Sequence, residues 1–210
     1  MYLPKHFAQP DREQLARLMA AHPLATLVSR TDDGFSADHI PLMYDPSQGE
    51  HGLLRGHVAR ANPLWRAAAG SAVLAVFSGP QAYITPSWYA AKSTNAKVVP
   101  TWNYAVVHAQ GPLRAIEDAD WLHRLVSDLT RRHEEPRAHP WQVSDAPEDY
   151  VQQMLRAIVG IEIPLTSLVG KWKVTQNRSE ADRLGVAAGL GNEVGDDAAQ
   201  MAALIRSASD

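Results

Sequence analysis

The sequence predicts an α+β domain: six or seven antiparallel strands in a closed or partly closed barrel, with flanking helices and a C-terminal helical segment. Three observations carry that prediction. Apolar runs of strand length recur as far as Ile163, bounded by Asp, Gly and Pro turns. One of them, Ser71 to Phe77, is almost entirely Val, Ala and Leu, which suits a strand covered on both faces. Helical stretches flank these runs and no internal repeat or low-complexity linker divides the chain, so residues 1–210 read as a single domain.

Each element has a local cause. Pro10 suits the first turn of a helix, Asp11 and Glu13 suit its positive end, Leu15, Leu18 and Met19 follow at helical spacing, and His22-Pro23 stops it. Leu24 to Ser29 and Phe35 to Tyr44 form a hairpin around Asp32-Asp33-Gly34. Gly52 to Val58 is a third strand with Leu53, Arg55 and His57 on one face. Asn62 caps a short helix that has Pro63 at its first position. Ser71 to Phe77 and Gln81 to Thr85 are two more strands, and a loop follows around Pro86 to Tyr89.

A long strand, about Val98 to Arg114, begins at an edge or bulge because Pro100 cannot donate to a ladder. Its alternation puts Trp102, Tyr104, Val106 and His108 on one face and Thr101, Asn103, Ala105 and Val107 on the other. Asp118 to Glu134 is an amphipathic helix, Pro136 to Pro147 a loop, Glu148 to Ala157 a helix and Ile158 to Ile163 the last strand. Residues 164–210 change character. Lys171-Trp172-Lys173 and Thr175 to Arg178 form a dense polar segment, followed by a helix that Ser179 caps and Gly189 ends, and by another from Asp197 to Ser207.

Composition removes several function classes. The 20 Lys and Arg are interspersed among 23 Asp and Glu, and the net charge of -3 offers nucleic acid or an anionic membrane no broad attraction. With no cysteine, disulfides, thiol catalysis and thiolate-bound metal are excluded. MYLPKHFAQPD lacks the apolar core of a signal peptide and no apolar run approaches a spanning helix, so a cytoplasmic protein is expected. There is no GxSxG, P-loop or HExxH, and Pro136 breaks the helix after His133-Glu134-Glu135 before a second histidine can arrive.

The positive signal is concentrated in Tyr83 to Gly111, where Trp, Tyr, Lys, Thr and Asn crowd together as they do around a flat ligand with a polar rim. Trp88-Tyr89 and Trp102-Tyr104 offer aromatic faces, Thr101 and Asn103 offer rim hydrogen bonds, and Lys92 and Lys97 offer charge. Upstream, Arg60 beside the turn at Asn62 makes a phosphate site, with a capped turn as the plainer alternative. Periodicity does not name the ligand.

PSWY at Pro86 to Tyr89, VPTWNYAVVHAQG at Val99 to Gly111 and QNRSEADRLGVAAGL at Gln176 to Leu190 resemble the PaiB family, described as FMN-binding negative transcriptional regulators. MYLPKHF at the start and HVARANPLW at His57 to Trp65 fit the same family. The resemblance implies an FMN-binding split barrel related to pyridoxamine-phosphate oxidase and flavin reductases, and a homodimer with flavin sites at the subunit interface. It implies FMN phosphate on Arg60 and Asn62, with Lys92 or Lys97, and the isoalloxazine against Trp88, Thr101, Trp102 and Asn103. Gln176, Asn177 and Arg178 are carried to the site by position.

Two functions from different classes follow. One is regulation through flavin, a small molecule or a protein partner, since no helix-turn-helix or basic stripe supports direct DNA binding. The other is an FMN-dependent oxidoreductase, with His108 or Tyr104 as first candidates beside the ring. Haem binding through His39, His57 or His108 is a third possibility that the fold's relatives suggest.

Overall fold

A computed structural model describes residues 1–208. In chain order, β1 (Ala8–Gln9) leads into α1 (Arg12–Ala21), the hairpin of β2 (Leu24–Thr31) and β3 (Gly34–Pro41), and then β4 (Met43–Asp45) and β5 (Leu53–Ala59). Next come α2 (Leu64–Ala67), β6 (Ala72–Ile84), α3 (Ala91–Thr94), β7 (Thr101–Pro112) and β8 (Arg114–Ile116). The chain finishes with α4 (Ala119–Glu134), α5 (Glu148–Arg156), β9 (Ile158–Pro164), β10 (Ser167–Lys173), α6 (Glu180–Leu190) and α7 (Asp196–Ser207). The strands form a six-stranded sheet in the order β1-β10-β7-β6-β2-β3 and a four-stranded sheet in the order β4-β5-β9-β8. The α+β class is as expected. The strand count exceeds six or seven because β1, β4 and β8 are very short and β10 arises inside the stretch read as a polar segment.

Packing divides the chain into two compact units. One holds His22–Phe77 and His108–Leu168. Here β2 and β3 pair from Leu24↔Pro41 to Thr31↔Gly34, and the turn is closed by Gly34 at φ 130°. On its other side β2 pairs the first half of β6, Thr26↔Val76 to Val28↔Leu74. β5 and β9 pair along their whole length, Leu53↔Pro164 to Ala59↔Ile158. Leu27, Leu54, Val73, Ala75, Phe77, Val159, Ile161 and Ile163 fill this unit's core. α4 is started by Asp118, whose Oδ1 accepts from Trp121 N at 2.7 Å, and it buries Leu122 and Leu125. Trp121 lies on Gly160, where a Cβ would come within 2.2 Å of the ring.

The other unit holds Met1–Ala21, Ser78–Val107 and the described residues from Val169 onward. β1 adds to β10 through Ala8↔Lys171. α1 buries Leu15, Leu18 and Met19, and it sits flat because Gly170 and Gly79 leave room for Leu15 and Leu18. In β7 the alternation resolves into a buried Asn103–Ala105–Val107 face and an outward Trp102–Tyr104–Val106 face.

Three local expectations change. β6 runs unbroken through Gly79-Pro80, where two strands were expected, but its alternation slips there by one residue: 73, 75, 77 and 79 are buried, then 80, 82 and 84. The strand expected from Phe35 to Tyr44 breaks at Leu42, and β4 joins the other sheet. Gly189 does not end α6. The helix runs on to Leu190 with Gly191 as its C-cap, because Gly185 and Gly189 form a ledge against Trp88.

Candidate functional site

Thr101 and Asn103, two residues apart at the start of β7, open into a cavity of about 90 Å³. Its remaining walls are Tyr89, Val99, Lys173, Thr175, Asn177 and Arg178. Asn103 is 1% exposed, yet neither its Oδ1 nor its Nδ2 has a hydrogen-bond partner. An amide left in that state costs about 1–3 kcal/mol, so a ligand that satisfies it gains on that account.

β10 supplies the charge. Gly170, Lys171 and Trp172 are buried in a row near its end, and Lys173 is half-buried before the buried Val174. Lys173 Nζ donates to Thr101 Oγ1, and to the Trp102 carbonyl at 2.6 Å. Burial lowers the Lys173 pKa, Tyr104 acts against that shift and neighbouring Lys171 adds to it. Lys171 is itself buried, donates to the Tyr2 carbonyl at 3.2 Å and lies 5.2 Å from the Tyr104 ring centre.

The segment after β10 is shaped by its own side chains. Gln176 turns back on the backbone, accepting from Val174 N at 2.8 Å and donating to the Trp172 carbonyl. It builds the turn, while Asn177 and Arg178 line the cavity. Thr175 takes φ 63°, a strained value for a β-branched residue, and is buried at 4% exposure. Arg178 lies 5.0 Å from the centre of the Tyr89 ring. Burial raises the Tyr89 pKa, Arg178 opposes that and Asp182 adds to it. Asp182, near the N-terminus of α6, also accepts from Ala91 N at 2.9 Å and so holds α3 in place.

Trp102 alternates away from Asn103. With Trp88 it lines a second cavity in this unit, about 590 Å³, which also includes Gln81, Tyr83, Thr85, Leu190, Glu193 and Asp197. The Lys97 side chain is exposed and belongs to neither cavity; its backbone N donates to Asn95 Oδ1. Lys92 Nζ donates to Ser87 Oγ at 3.0 Å.

Arg60 and Asn62 belong to the unit built on β2, β5 and β9. Arg60 Nε donates to the Arg156 carbonyl at 2.8 Å and Nη2 to the Ile158 carbonyl at 3.1 Å, while Nη1 pairs with Glu117. Asn62 Oδ1 accepts from Leu64 N at 2.8 Å and its Nδ2 donates to Asp38 Oδ1 at 2.7 Å. Of the expected site residues, Thr101, Asn103, Asn177 and Arg178 therefore meet at one cavity, and Trp88 and Trp102 at another. Lys173 and Thr175 were missed; Lys173 ends β10 and Thr175 follows it, in a stretch whose lysines made it read as a polar segment. Among the described residues no group of three His, Cys, Asp or Glu is placed to hold a metal ion.

The family model FMN_bind_2, described as "Putative FMN-binding domain", matches residues 1–167. "Protease synthase and sporulation protein PAI 2" of Bacillus subtilis is 32% identical over 206 residues, covering 98% of this chain and 96% of the relative. "Uncharacterized protein AN0679" of Emericella nidulans is 34% identical over 241 residues, covering 98% and 96%. Among solved structures, the FAD and heme binding protein from Mycobacterium smegmatis aligns with a TM-score of 0.60 at 18% identity, over 87% of this chain and 80% of that one. The flavocytochrome Anf3 from Azotobacter vinelandii aligns with a TM-score of 0.59 at 13% identity, over 87% and 78%. At such identities the likeness is one of fold, and the fold is the split barrel. This chain, similar to the Bacillus PAI 2 protein, belongs to the family described as a putative FMN-binding domain; its fold is the split barrel and its cofactor is FMN.

Proposed function

We propose that the chain binds FMN as a cytoplasmic homodimer and acts as a negative transcriptional regulator of the PaiB type, indirectly through its flavin, a small molecule or a protein partner. The observation that carries the cofactor assignment is the buried, unpartnered amide of Asn103 beside Lys173 and Arg178. An imide edge, an N–H between two carbonyls, presents the donor and acceptor that this amide lacks, and the pyrimidine edge of a flavin is such a group. The two cations suit its carbonyl oxygens and any negative charge that gathers there. A cavity of about 90 Å³ admits that edge and not the whole ring. The residues fit the cofactor.

Bound FMN supplies one- and two-electron redox chemistry. The chain's residues bind and orient it: Asn103 reads the edge, Lys173 is fixed by Thr101 and the Trp102 carbonyl, and Asn177 and Arg178 close the rim. Arg60 and Asn62 remain the phosphate candidates of the other unit. A phosphate there would share Arg60 with Glu117, since the side chain is already committed to that carboxylate and two carbonyls.

The regulatory part draws on the family resemblance and on the Bacillus relative, whose name speaks of a protease synthase and of sporulation. The net charge of -3 favours an indirect route over DNA contact. The dimer is supported by β3, an edge strand on which every residue except Asp38 and Ile40 is exposed and which carries Phe35 at 81% exposure. The decisive experiment is the absorption spectrum of the purified protein: flavin bands that leave with FMN on denaturation are expected. A colourless protein that refuses added FMN would overturn the cofactor assignment. Tight, sequence-selective DNA binding at physiological salt would overturn the indirect route.

A further inference from the structure

We propose that the larger cavity on the outward side of β7 is a binding site for an organic cation, a protonated aliphatic amine, separate from the Asn103 pocket. Its volume of about 590 Å³ is in the range of small-molecule sites. Tyr83, Trp88 and Trp102 form its aromatic walls. Tyr83 and Trp102 meet edge to face, with centroids 6.1 Å apart and planes at 69°, and remain 49% and 55% exposed, so packing has not consumed their faces.

Two carboxylates line the same cavity, Glu193 in the turn between α6 and α7 and Asp197 in the first turn of α7, and no Lys, Arg or His joins them. The positive end of α7 offsets Asp197 in part, which leaves Glu193 as the stronger anchor. The negative faces of aromatic rings and the carboxylates act with one sign, so the cavity selects cations. Gln81 and Thr85 add oxygen acceptors for ammonium N–H groups, and Leu190 adds an apolar surface for an alkyl chain. The Asn103 pocket has the opposite charge, with Lys173 and Arg178. A strand of period two lets adjacent residues, Trp102 and Asn103, serve the two sites.

The test uses the FMN-treated, full-length protein titrated with hexylammonium chloride, 1-hexanol and sodium hexanoate, which share one chain and differ in head-group charge. Binding is followed by NMR on the indole N–H signals, with Trp88 and Trp102 assigned by substitution. Hexylammonium is expected to shift both signals at least tenfold more tightly than hexanol, and hexanoate is expected to shift neither. The double variant Glu193→Gln, Asp197→Asn is expected to lose about tenfold in amine affinity and most of its salt dependence. Trp102→Leu is expected to lose about fivefold. Equal affinity for hexanol would reduce the site to an apolar groove and overturn the proposal, as would an unchanged affinity in the double variant. Release of FMN on amine binding would give the cavity to the flavin, overturning this proposal while sustaining cofactor binding. Selective amine binding by protein that takes up no FMN would leave this proposal standing and remove only the cofactor assignment.

Discussion

On the proposed reading, Asn103 serves a ligand at the expense of the ligand-free fold. Its amide is buried with nothing to bond to, while Lys173, on the neighbouring strand β10 and in the same cavity, is held by two oxygen acceptors. Asn103→Leu removes the unpaired polar atoms at similar volume, so it is expected to stabilise the FMN-free protein by about 1 kcal/mol in urea denaturation. The same variant should weaken FMN at least tenfold in a flavin-fluorescence titration; a loss of stability together with unchanged FMN affinity would make Asn103 an ordinary core residue. His57 gives a second test. Burial lowers its pKa from the ordinary 6.5, so the unfolded chain takes up the proton more readily. Its contribution is therefore complete above pH 6.5 and is lost as pH falls through the lowered folded value. Urea midpoints between pH 7.5 and 5 should fall more steeply for the wild type than for His57→Gln.

At the scale of the element, α6 is governed by what lies against it more than by its own propensity. Glycine inside a helix costs about 1 kcal/mol relative to alanine, so Gly185→Ala and Gly189→Ala would each stabilise an isolated helix. In the fold a Cβ at 185 would stand 2.2 Å from the Trp88 carbonyl oxygen, and one at 189 would stand 2.4 Å from the Trp88 ring. Overpacking costs about 1–3 kcal/mol and outweighs the gain. Gly185→Ala, which meets backbone, is expected to destabilise by about 2 kcal/mol, and Gly189→Ala, which meets a side chain able to shift, by less. Chemical denaturation of the two variants checks the order, and a stabilised Gly185→Ala would refute the ledge. Gly189 read as the end of the helix in the sequence, because a ledge is defined by a partner distant along the chain. β10 was hidden for a related reason: Lys171 and Lys173 made a strand look like a polar segment until their neighbours Gly170 and Trp172 were seen to be buried.

For the whole molecule, the question is what covers β3. The first half of β3, Gly34 to Ala37, is exposed on both faces at a sheet edge, which makes it a site for pairing, and Phe35 is the side chain most at odds with water there. The wild type is expected to run at twice the monomer mass in light scattering, and Phe35→Asp is expected to run as a monomer with its unfolding midpoint little changed. A wild type that stays monomeric at all concentrations would remove the homodimer. Among the described residues no helix is long and apolar enough to cross a membrane.

The α+β class, most helix positions, the alternation of β7 and the FMN family could be read from the chain alone, because these rest on local periodicity, capping chemistry and long unbroken motifs. Ser179 caps the helix it was expected to cap, and Thr101 and Asn103 do share a face. Which face was buried and which pocket each aromatic joined depended on the packing of the strands. That packing joined Trp102 to Trp88 at a second cavity, brought Lys173 to Thr101 across 72 residues and committed Arg60 to Glu117. Those outcomes depend on which strands become neighbours, and neighbours distant in sequence leave no periodic trace along the chain.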